Sequence, residues 1–77
     1  METVSGLQSL RPGETAVVKG LSSSGALRRR LLDMGIVAGT RLECLGISPG
    51  GDPRAFLVRG AALALRAKDC RDIEIYI

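Results

Sequence analysis

Histidine is absent from these 77 residues, cysteine occurs twice, and the aromatic side chains are limited to one phenylalanine and one tyrosine. Each shortage removes a class of function. Without imidazole there is neither a Cys–His nucleophile nor a zinc knuckle. Cys44 and Cys70 stand 26 positions apart and read as small buried hydrophobes. A disulfide between them would close a loop, but a cytoplasmic chain keeps its thiols reduced. With only Phe56 and Tyr76, the chain lacks stacking platforms for nucleic-acid bases and an aromatic groove for proline-rich peptides. The apolar run from Gly60 to Leu65 is far shorter than the roughly 20 residues that cross a bilayer. The N-terminus also lacks the basic-then-apolar order of a signal peptide, so a cytoplasmic chain without membrane insertion is expected.

Phosphate and metal chemistry are equally poorly supplied. The 10 glycines include no Gly-Lys-Ser/Thr and no Gly-x-Gly-x-x-Gly after a strand, so they are read as turn formers. Asp33, Asp52, Asp69, Asp72, Glu14, Glu43 and Glu74 would have to cluster densely to hold a ferrous ion without histidine, and their spacing shows no such cluster. Asp69 and Asp72 share one turn, as polar residues before a strand commonly do. No catalytic, cofactor-binding or metal-ligating residue is assigned.

What is present is a succession of short elements. A composition 45% hydrophobic and 25% charged is that of one small globular domain, spanning residues 1–77. Val4, Leu7 and Leu10 have a helical or 3₁₀ spacing, and Met1 to Ser9 is expected to cover one open end of a barrel. Arg11-Pro12-Gly13-Glu14 has the order of a type II turn, and a first strand follows over Thr15–Gly20. Ser22-Ser23-Ser24 supplies capping hydroxyls for a helix from Gly25 to Met34, with Leu27, Leu31 and Met34 on one stripe and Gly35 as left-handed cap. Arg41–Ile47 alternates with Leu42 and Cys44 inward, and Ser48–Pro53 forms a hairpin loop. Arg54–Arg59 then turns Phe56 and Val58 inward, with Pro53 marking an edge strand. Gly60 reverses the chain into Ala61–Arg66, Lys68–Asp72 forms a polar turn, and Ile73, Ile75 and Ile77 face inward on the last strand. The fold class is mainly β: a small five-stranded SH3-like barrel with one short α-helix after the first strand.

The run Leu31–Gly39, the Pro49…Gly51-Asp52-Pro53 hairpin and Val58-Arg59-Gly60…Leu63-Ala64-Leu65-Arg66 resemble the FeoA family over about Leu7 to Ile75. The resemblance implies an SH3-like accessory protein of bacterial ferrous iron uptake, whose partner is the cytoplasmic part of the FeoB permease. The same module resembles the C-terminal domain of DtxR-type repressors, the alternative reading. A chain starting at Met1 is expected to have no room for the DNA-binding segment such a repressor needs. Transition-metal binding enters only as a family-level property. The sequence departs from the family pattern at Ala38, where proline is frequent, at Arg54, where an apolar residue is usual, and at Cys70, usually alanine. Arg54 is expected to place a charge on a strand rim.

An adaptor without enzymatic activity or cofactor is thus expected, binding a protein partner and not nucleic acid. Weak self-association is left open. Arg28, Arg29 and Arg30, with Leu32, form the favoured partner-binding surface, against the alternative that the arginines are a solvated helix face in a chain of net charge +3. Leu57 and Leu63 are candidates for a contact at a strand edge or barrel end. Calorimetry with Fe²⁺ and with GTP is expected to show no stoichiometric heat at micromolar ligand, where a Kd near 1 μM equals about −8 kcal/mol. Such a heat would remove the adaptor reading.

Overall fold

The computed structural model describes residues 4–76. β1 (Val4–Gly6) leads through a 3₁₀ turn at Leu7–Ser9 into β2 (Thr15–Leu21), α1 (Gly25–Asp33), β3 (Arg41–Ile47) and β4 (Arg54–Val58). β5 (Ala61–Leu65), the one-turn α2 (Ala67–Cys70) and β6 (Ile73–Tyr76) complete it. All strand pairs are antiparallel, in the order β1-β6-β2-β3-β4-β5. The mainly β, SH3-like architecture is the one expected, but with six strands, and β1 and β5 are the edges of a sheet that does not close.

The additional strand lies where a helical lid is expected. Val4 pairs with Tyr76, Ser5 with Ile75 and Gly6 with Glu74, so the segment satisfies the backbone groups along the free edge of β6. Only afterwards does the chain tighten, and Leu7 and Leu10 alone fill the barrel end, while Val4 stays 44% exposed. The first three residues of the expected lid, and Ile77, lie outside the described residues.

Alternation in the strands builds the core. Leu42, Cys44, Phe56, Val58, Ile73 and Ile75 are all buried, and Leu31 of α1 is completely enclosed among them. Leu27 and Met34 pack half-buried beside it, one helical stripe on a sheet face. Pro53 does not mark an edge: β4 pairs with both β3 and β5. The proline precedes the first paired residue, so its missing N–H is not lost from the ladder.

The two ends of α1 differ from each other in how far they follow expectation. Ser24 occupies the cap position, but its side chain makes no capping bond. Gly25 enters the helix at φ +64°, which leaves the serine one residue too early for its hydroxyl to reach the first helical N–H groups. Ser22 instead donates to the Asp72 carbonyl at 3.3 Å. The C-terminus is closed as expected. Gly35, at φ +87°, donates to the Leu32 carbonyl at 2.9 Å, and Ile36 donates to that of Leu31 at 3.0 Å. Buried Thr40 then fixes the connection, its hydroxyl donating to the Gly35 carbonyl at 3.0 Å. Gly39 donates to the Val18 carbonyl and Val18 to that of Thr40, each at 2.8 Å, which lays β3 beside β2.

Gly35→Val and Gly60→Val are each expected to destabilise by about 1–2 kcal/mol, since both glycines hold a positive φ that a β-branched residue resists. Gly35→Val is the more severe, because a Cβ there would lie 3.3 Å from Cδ of Arg59 whereas Gly60 faces open space. Denaturant midpoints, if unchanged in both variants, would contradict these turns.

Candidate interaction surface

Among the described residues, no three or more Cys, Asp or Glu side chains come together to hold a metal ion. Cys44 and Cys70 are free and completely buried. Burial pushes the Cys70 thiol up to about 11, with the positive charge of Arg54 a smaller opposing influence. Burial raises the Cys44 thiol as well. Thiols so protected are poor nucleophiles and poor ligands.

The three arginines of α1 have separate environments. Arg28 donates through Nη1 to the Leu21 carbonyl at a long 3.4 Å, closing the gap between helix and β2. Arg30 reaches across to α2, where its Nη2 lies 3.2 Å from Oδ2 of Asp69. That carboxylate is only 8% exposed, so Asp69 is more than a polar turn residue: it anchors α1 to α2. Arg29 makes no hydrogen bond or ion pair among the described residues. Leu32, 38% exposed, shares its helix face with Arg28 and Arg29 by the i, i+3 and i, i+4 spacing.

Leu57 and Leu63 are not brought together. Leu63 pairs with buried Phe56 and packs half-buried against the core, whereas Leu57 pairs with Glu43 and Ala62 on the outer face. Arg54 is not a rim charge either. It lies on the same side of β4 as Phe56 and Val58, half-buried, and its Nη1 donates to the Gln8 carbonyl, 2.6 Å away. It thereby ties β4 to the turn that fills the barrel end.

A groove of about 530 Å³ on the outer face is lined by Thr15, Arg41, Glu43, Leu57, Arg59 and Gly60. Of these only Leu57 is among the partner-binding residues that the sequence suggests. The signal for Arg59 was the two-residue connection between β4 and β5, Arg59-Gly60, which requires positive φ at both positions. A second hollow, about 650 Å³, is lined by Leu27, Arg30, Arg66, Lys68 and Asp69 between α1 and α2.

The geometry is an open antiparallel SH3-like sheet carrying one short helix, and residues 6–77 match the FeoA domain family. The chain belongs to the FeoA family. It is 30% identical over 69 residues to the Fe(2+) transport protein A/Fe(2+) transporter FeoB fusion protein of Porphyromonas gingivalis. That alignment covers 90% of this chain and 8% of the far longer fusion protein. The FeoA-like protein from Clostridium acetobutylicum superposes with a TM-score of 0.88 at 35% identity, over 100% of this chain and 88% of the other. Stenotrophomonas maltophilia FeoA complexed with zinc, described as a procaryotic SH3 domain protein, gives a TM-score of 0.81 at 27% identity, over 91% and 87%. The likeness to T. acidophilum IdeR, with a TM-score of 0.86 at 17% identity over 97% of this chain and 34% of that one, is one of fold alone. No helix among the described residues is long and apolar enough to cross a membrane.

The buried thiol makes a pH-dependent contribution. Unfolded, Cys70 ionises near 9.0, and folded it keeps its proton to about 11, so between these values unfolding releases a proton. Stability present below pH 9 is therefore lost as pH rises toward 11, by up to about 2–3 kcal/mol. Cys70→Ala is expected to flatten this part of the profile, measured as denaturant midpoints on either side of the window. Equal slopes in both proteins would disprove the assignment.

Proposed function

We propose that the chain is a cytoplasmic, non-enzymatic accessory module of ferrous iron uptake that docks to the cytoplasmic part of a FeoB-type permease and modulates it. The observation that carries this reading is the Porphyromonas gingivalis relative, in which the A protein and FeoB form one polypeptide. Covalent linkage raises the effective concentration of one part at the other, an arrangement that favours parts which work in contact. The alternative, a regulatory domain like that of a metal-dependent repressor, is supported by the shared fold with IdeR. A DNA-binding segment on the native polypeptide would favour it.

The docking surface we propose is the exposed face of α1 carrying Arg28, Arg29 and Leu32. Arg30 belongs to it only in part, being held by Asp69. Leu57 is available from the outer sheet face, and Leu63 only through its exposed fraction. Arg28→Glu combined with Arg29→Glu is expected to leave thermal stability within about 1 kcal/mol of wild type, because exposed charges add little to folding. Ferrous iron uptake by cells carrying this variant is expected to fall, together with capture of the permease's cytoplasmic part. Normal uptake at normal protein levels would reduce the arginines to a solvated face.

A further inference from the structure

We infer that the outer groove lined by Arg41 and Arg59 receives an extended acidic peptide segment of the partner, with a carboxylate between the two guanidinium groups and an aliphatic side chain against Leu57. This rests on the docking reading above and assigns it a second contact, away from the exposed face of α1.

The first support is conformational. Arg59 is the one non-glycine residue with a positive φ, +51°, among the described residues, and with Gly60 at +83° it forms the two-residue connection closed by the Val58–Ala61 pair. Asparagine or glycine takes the first position of such a turn without the penalty that a long side chain incurs. Residues held against their local preference concentrate at functional sites, and here the residue so held lines the groove. Cδ and Nε of Arg59 pass 3.3 and 3.4 Å from the place where a Cβ of Gly35 would be, so the glycine leaves room for the arginine's stem beside the end of α1.

The second support is electrostatic. Arg41 precedes the Leu42–Val58 rung on β3, and Arg59 follows it in the connection to β5. Both are exposed, and neither has a carboxylate within 4.0 Å among the described residues. Two cationic groups lining one groove repel, and an anion between them reverses that effect. Leu57 is half-buried beside them, and no atom stands close above Gly39 and Gly60, leaving room for a peptide backbone. No aromatic ring lines the groove, so no base could stack there. A peptide carboxylate is planar like the guanidinium fork it would meet, and an apolar side chain beside it spares Glu43 a continuous run of negative charge.

Titrating the ¹⁵N-labelled protein with an acetylated Glu-Leu-Glu-Leu-Glu-Leu peptide tests the inference. Saturable amide shifts are expected at Thr15, Arg41, Leu57 and Gly60, weakening as salt is raised. Arg59→Asn, which suits the turn, is expected to melt at the same or a higher temperature while its affinity falls at least tenfold, and Arg41→Gln is expected to weaken binding without unfolding. Absence of saturable shifts, shifts confined to α1, equal shifts with a Lys-Leu peptide or an oligothymidylate, or unchanged affinity in Arg59→Asn would each overturn the groove assignment. The two readings separate with the permease's cytoplasmic part as ligand. If it binds wild type and Arg59→Asn equally, the groove assignment fails and docking stands. If wild type ignores it yet takes the acidic peptide at the groove, docking fails and the groove stands.

Discussion

At Gly35 the backbone turns left-handed, two carbonyls of α1 find donors, and the chain heads back toward β2. Ile36 drops into the core immediately afterwards, and Thr40 and Gly39 bond to the same short stretch of β2 that Arg41 then joins in register. The helix is under three turns long and would not persist alone, so its position depends on this closure and on the burial of Leu31. Arg59 lies against the same glycine. Helix, sheet and the β4–β5 hairpin therefore come together around one glycine.

The local rules that made this legible are short-ranged. Leu27, Leu31 and Met34 announce the helix face because their spacing repeats, and Gly35 ends it because a repeat is interrupted by the residue best suited to interrupt it. Leu42 and Cys44, Phe56 and Val58, Ile73 and Ile75 point inward by simple alternation. β1 escaped because three residues are too few to display a period, and its identity is decided by the free edge of β6, a strand some seventy residues away in sequence. The burial of Asp69 was hidden for the same reason: its partner Arg30 sits on another element. The groove is harder still, since Arg41 and Arg59 come to line one hollow only after β3 and β4 have chosen their register.

Recognition by this module has an unusual material basis. With Phe56 committed to the core, no large ring is available on α1 or in the groove to act as the anchor that dominates many interfaces. At the two proposed surfaces, contacts would be assembled from guanidinium groups and aliphatic side chains. Interfaces of that kind associate quickly and respond strongly to ionic strength.

The pairing of Val4 with Tyr76 has a mechanical consequence. The first and last described residues stand on adjacent strands, so polypeptide continuing from either side departs from one corner of the domain. The module is in effect a closed loop with a single attachment point. It can be grafted onto another protein at its head or its tail, or cut elsewhere and rejoined across that corner, without rerouting a strand. Whichever end carries the tether, the same faces of helix and sheet are presented outward.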